Sequence, residues 1–199
     1  MHFKRAEKLR RHLPSQFFIA LFFCGLLTPL SYADTTYVTP DNFLREVFST
    51  ADNFEIPKAE FIWLDNSKQA KLTQALGHPY PQARLRYWRA QQKTVWILDE
   101  IGKEYPITAG FVVADKKIQR AQVLVYRESR GMEIHLPAFL AQFINTHLTD
   151  EQKADQLSNK IDGITGATLS VDAMKRMARA ALTLDALTSD ASTLKPATL

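Results

Sequence analysis

The sequence predicts an α+β fold, a single domain in which an antiparallel sheet is flanked by helices. Three observations carry this. Two strand hairpins sit in the middle of the chain, amphipathic helical stretches lie on both sides of them, and the composition is that of an ordinary globular protein: 199 residues, 46% hydrophobic and 23% charged, with 7 Gly and 9 Pro.

The elements follow in order. Residues 1–33 read as a secretory signal peptide and not as part of the fold. Lys4, Arg5, Lys8, Arg10 and Arg11 form a basic head, Phe17 to Leu30 form an apolar stretch too short to span a bilayer, and Ser31-Tyr32-Ala33 supplies small residues before a cut at Ala33/Asp34. Thr39-Pro40 reads as an N-cap with Pro at the first helical position, and Phe43, Leu44, Val47 and Phe48 share a helix face. Ala59 to Leu64 reads as a strand. Asn66 is expected to cap a second helix, which carries Ala70, Leu72, Ala75 and Leu76 and stops at Gly77.

Runs rich in β-branched and aromatic residues, Ala83 to Arg89 and Thr94 to Asp99, read as a hairpin joined by Ala90-Gln91-Gln92-Lys93. Ile107 to Ala114 and Ile118 to Arg127 read as another across Asp115-Lys116-Lys117, with Ala121, Val123 and Val125 alternating against Arg120, Gln122 and Leu124, so that one face is expected to be buried. Pro137 starts a helix whose Phe139, Leu140, Phe143 and Ile144 are expected to point inward. A last helix runs from about Ser170 to Leu187, with Val171, Met174, Ala178, Ala181 and Leu182 as its buried stripe. A polar tail occupies 188–199.

The leader holds five of the 25 basic and one of the 21 acidic residues, which leaves 20 of each from Asp34 onward. No basic run remains to contact phosphates, so nucleic acid is excluded as a partner. The one cysteine, Cys24, lies in the leader, and disulfide or thiolate chemistry leaves with it. His78, His135 and His147 lack the close spacing of a zinc site. Trp63, Trp88 and Trp96 read first as core material, with stacking on a ligand ring as the alternative.

One segment carries chemistry: Asp162-Gly163-Ile164-Thr165-Gly166-Ala167-Thr168-Leu169-Ser170. Its glycines permit a tight turn and close backbone approach, and its small residues leave room. It runs straight into a helix whose free N–H groups and dipole suit a phosphate. Ser170 is expected as the N-cap, with Lys175, Arg176 and Arg179 facing outward or toward an anion.

The string D-G-I-T-G-A-T closely resembles the flavinylation motif of the FMN-binding domain family, whose members include flavin-carrying components of the sodium-pumping NADH:quinone reductase and of the Rnf complex. The resemblance extends over roughly residues 100–187, through Gly110-Phe111-Val112-Val113 and the Asp115 to Tyr126 hairpin. It implies FMN at the N-terminus of the last helix, esterified through its phosphate to Thr168 by a flavin transferase that uses FAD. Gly163 and Gly166 would be the backbone bends, Asp162 and Thr165 loop shapers or transferase contacts, and Ala167, Leu169 and Ser170 the rest of the binding segment. Arg127-Glu128-Ser129-Arg130-Gly131 takes the place of the family's His-Ser-Glu-Thr-x-Gly, departing from it in Ser129 and in lacking the His. Glu128 and Ser129 are thus candidate flavin contacts. The implied function is an exported, periplasmic flavoprotein, passing electrons between a membrane-bound redox partner and another acceptor. The alternative is a small flavin reductase acting directly on a quinone or ferric complex, which would turn over a soluble acceptor without a partner.

Overall fold

A computed structural model describes residues 34–49 and 55–193, and the expected leader and its cut at Ala33 lie outside them. The elements are β1 (Thr35–Thr36), α1 (Pro40–Phe48), β2 (Glu60–Trp63), α2 (Asn66–Leu76), β3 (Arg84–Ala90), β4 (Lys93–Ile101), β5 (Pro106–Ala114), β6 (Lys117–Tyr126), α3 (Pro137–Leu140) and α4 (Thr168–Thr193). The strands form one antiparallel sheet in the order β1-β6-β5-β4-β3-β2. This is the α+β single domain expected. The two-residue edge strand β1 has too little sequence to announce itself.

Both hairpin loops are two residues long. Ala90 pairs with Lys93, and Ala114 with Lys117. Asp115 and Lys116 both have positive φ, 51° and 60°, the left-handed pair that matches the twist of the flanking strands. Thr39 caps α1 by accepting the Asn42 N–H at 3.2 Å. In α2 the cap is Asp65 and not Asn66: its Oδ1 accepts the N–H groups of Ser67 and Lys68, both at 3.0 Å, which places Asn66 inside the helix. Gly77 ends α2 with φ 81°.

The sheet is covered on both faces, where the alternation in β6 suggests one. On one face α4 lies over Trp96, Ile107, Phe111 and Val123, with α2 beside it. On the other, Phe43 and Leu44 of α1 sit on Trp88, Val95, Val112 and Leu124. A Cβ on Gly110 would collide with the Phe43 ring, so this glycine lets α1 lie directly on β5. Two register shifts break the period of β6. Thr108 faces Val125 while Ala109 faces Val123, so Leu124 is the extra residue and joins Val125 on the α1 side.

Three further expectations are corrected. α4 has 26 residues, starting two before Ser170 and running six past Leu187, because the Ser, Thr and Ala of that stretch continue the helix; Thr188 and Ser189 hydroxyls bond back to the Asp185 carbonyl. α3 is a single turn followed by a 3-10 turn at Ala141–Phe143. That change of pitch buries Phe139 and Phe143 but leaves Ile144 exposed. Among the described residues no helix is long and apolar enough to cross a membrane.

Candidate functional site

The loop before α4 is built by one turn. The Ala167 N–H donates to the Ile164 carbonyl at 3.0 Å, and Gly166, third of the four turn residues, has φ 80°, the conformation a type II turn requires there. Ala167 then accepts the first helical bond, from the Val171 N–H at 3.0 Å. The N–H groups of Thr168, Leu169 and Ser170 therefore precede that bond, at the positive end of the helix dipole. Thr168, the first helical residue, is exposed.

This turn meets two others at one end of the sheet. Residues 166–170, Lys103 from the β4–β5 loop, and Glu128, Ser129 and Arg130 from the chain after β6 line an open cavity of about 540 Å³. Its size falls within the roughly 300–1,000 Å³ of small-molecule sites. Lys103 and Arg130 bring two cationic side chains to the same cavity as Thr168, each from a different segment.

Not all of the expected site residues face this cavity. Gly166, Ala167, Thr168, Leu169, Ser170, Glu128 and Ser129 line it; Asp162, Gly163 and Thr165 are outside its lining. Asp162 is held through its N–H, which donates to the Gln142 side chain at 2.7 Å. Gly163 lies outside the left-handed region, so of the two glycines only Gly166 is required by backbone conformation. Ser170 is not the N-cap. It is the third residue of the helix, 3% exposed, with its hydroxyl 3.0 Å from the Tyr126 hydroxyl.

The cations of α4 are engaged by groups of the protein itself and not turned toward the cavity. Arg176 donates from Nε to Glu100 at 2.9 Å and from Nη2 to the Ile101 carbonyl at 2.8 Å, Arg179 donates to the Ala75 carbonyl at 2.8 Å, and Lys175 reaches Asp172 of its own helix at 3.3 Å. Glu128 is engaged with protein as well. Its Oε1 accepts the backbone N–H groups of Lys103, Glu104 and Tyr105 at 2.5, 2.6 and 2.9 Å.

Sequence reasoning missed the support behind the loop. The Tyr126 hydroxyl donates to the Arg130 carbonyl while meeting Ser170, and burial is the main cause that raises its pKa above the ordinary phenol value. Gly131 has φ 87°, and a Cβ there would lie 2.7 Å from the Ala167 Cβ and 2.9 Å from the Tyr126 hydroxyl. The glycine that ends Arg127-Glu128-Ser129-Arg130-Gly131 was the one available signal for this contact. Lys103 had none, since only the fold brings the β4–β5 loop here.

The histidines are dispersed among separate contacts. His78 bonds Glu100 at 2.9 Å, which raises its pKa; His135 stacks on Tyr37; His147 lines a different cavity beside Lys116. Trp88 and Trp96 are core residues, and Trp63 is exposed beneath the Arg84 guanidinium.

The cavity has what a flavin phosphate asks of its surroundings. There is an exposed hydroxyl at a helix start, leading N–H groups ahead of the first helical bond, two cations, and open space over Gly166, where an added Cβ would meet no atom within 4 Å. Residues 102–183 match the family model of the FMN-binding domain, a span that contains every residue lining the cavity. No curated protein matches the chain.

Proposed function

We propose, from the premise that residues 102–183 are an FMN-binding domain and the protein a flavoprotein, that it carries its FMN covalently on Thr168 and serves as an exported electron carrier. The flavin when bound supplies one- or two-electron transfer. The chain's residues bind and orient it: Thr168 is the group esterified, the N–H groups at the start of α4 and the Lys103 and Arg130 side chains offset phosphate charge, and the Gly166 turn keeps the approach open. A flavin transferase makes the bond between the Thr168 oxygen and the FMN phosphorus as the pyrophosphate of FAD breaks, with AMP leaving and the hydroxyl proton passing to the transferase. The donor or acceptor is a membrane-bound redox partner, and the periplasm is the compartment that the leader sequence implies.

The observation that carries this reading is the exposed Thr168 side chain at the first position of α4, lining a cavity that two cations share. The test is in-gel fluorescence of denatured protein made together with an exported flavin transferase. Wild type should show one flavin band and Thr168→Val none at equal protein, while Thr165→Val keeps at least part of the signal because its side chain stands outside the cavity. A fluorescent Thr168→Val with a dark Thr165→Val would move the attachment site. A dark wild type would remove the covalent reading altogether.

A further inference from the structure

Glu128 is the residue whose observed role differs most from a direct ligand contact. Three consecutive backbone N–H groups, those of Lys103, Glu104 and Tyr105, converge on its Oε1. Hydrogen bonds to an ionised acceptor are stronger than those between neutral groups, and three on one oxygen fix the direction of the whole β4–β5 loop. Gly102 completes the fit. A Cβ there would stand 2.9 Å from Glu128 Oε1 and 3.1 Å from Ile107 Cδ1, so a side chain at residue 102 would push on the carboxylate that the loop binds. The same loop carries Lys103 into the cavity wall beside Glu128. β4 and β5 are joined by Gly102–Tyr105, where the Gly102 N–H also bonds the Tyr105 carbonyl at 3.1 Å and Lys103 forms an ion pair with Glu104.

We propose that Glu128 is a positioning residue for the flavin cavity: its carboxylate gathers the three N–H groups of the β4–β5 loop, holds that loop as the cavity wall, and keeps Lys103 in the lining that Thr168 shares. The part that concerns flavin rests on the function proposed above; the clamp itself does not. Glu128 thus acts on the ring through the loop, and the carboxylate oxygen that binds the loop is not available to the flavin.

The test has two arms. In flavin-free protein, amide hydrogen exchange at Lys103, Glu104 and Tyr105 should be faster by about tenfold or more in Glu128→Ala, with α4 amides unchanged. Glu128→Gln keeps one carbonyl oxygen as acceptor and should fall between. Gly102→Ala keeps the carboxylate but pushes it away from the loop, and should raise exchange at the same three amides. In flavin-loaded protein, Glu128→Ala should make flavin fluorescence more quenchable by iodide, and Glu128→Gln should restore part of the shielding. Wild-type exchange rates in Glu128→Ala overturn the proposal, as does faster exchange with unchanged quenching. A wild type that takes up no flavin overturns the proposed function instead, and the exchange arm then decides the clamp by itself.

Discussion

Gly131→Ala is expected to destabilise the protein far more than its size suggests, because two costs meet at one atom. The backbone there has φ 87°, and a side chain in the left-handed region costs about 1–2 kcal/mol. The new Cβ would also stand 2.7 Å from the Ala167 Cβ, 2.9 Å from the Tyr126 hydroxyl and 3.2 Å from the Ser170 Oγ. None of these neighbours can swing away: Ala167 is the residue that opens α4, and the two hydroxyls hold each other. Relieving such an overlap costs about 1–3 kcal/mol. The total is about 2–5 kcal/mol, a large part of the 5–15 kcal/mol typical of a folded domain. At about 2–4 °C per kcal/mol for a chain of this size, Tm should drop by roughly 4–20 °C. Thermal unfolding of flavin-free protein, followed by circular dichroism, measures it. Gly166→Ala is the control, since its φ of 80° brings the same backbone strain with no atom within 4 Å of the new Cβ. The difference between the two variants isolates the overlap. Equal Tm shifts would refute the claim that Gly131 is a packing contact, and a Gly131→Ala protein as stable as wild type would refute the geometry itself.

Gly166→Val should reduce covalent flavin loading sharply at modest cost to Tm, because a β-branched residue at φ 80° opens the turn that presents Thr168; full loading in the gel assay would show that the turn is not needed. Asp185 gives a pH prediction: burial, the largest cause, raises its carboxyl above the ordinary value despite the 2.6 Å hydrogen bond from Thr94. With the folded pKa above the unfolded one, ionisation weakens the fold as pH rises from about 3.8 through the folded pKa, and the loss stays constant above it. Asp185→Asn, which can still accept from Thr94, should raise Tm at pH 7 and lose that advantage as pH falls toward 3.8. A gain independent of pH would mean that the charge is not its cause.

The fold is legible in the sequence where local chemistry and tertiary packing agree. Thr39-Pro40 and Gly77 each satisfy a backbone need that the residue itself announces, and the structure uses both, whereas the expected Asp115-Lys116-Lys117 connection tightens to a two-residue loop with Lys116 in the left-handed region, which its residue type does not announce. Sequence and structure part where packing decides. Strict alternation puts Leu124 on the opposite face from Val125 because it cannot foresee a bulge, and a helical period of 3.6 puts Ile144 inside because it runs on through a 3-10 turn. The site divides in the same way. Gly166, Thr168 and the helix behind them are contiguous in sequence and read as one motif. Lys103, Tyr126 and Gly131 come to the same corner from two other segments, and of the three only Gly131 carries a local signal of that meeting.

That construction also bears on why a covalent bond is useful in the proposed function. The cavity is walled by three loop segments and stays open, with Leu169 half exposed at its edge, so it does not enclose a flavin as a deep pocket would. A ligand held by a shallow site is lost by dilution once the protein leaves the compartment that makes it. Tethering turns rebinding into an intramolecular event at an effective concentration in the millimolar range, which leaves even a weak cavity occupied. The anchor must then satisfy opposing demands. It has to be exposed enough for a transferase to reach, and rigid enough that the attached ring keeps one orientation. The first position of α4 meets both, because Thr168 stands in solvent while Ala167 and Ser170 on either side of it are buried against Gly131 and Tyr126.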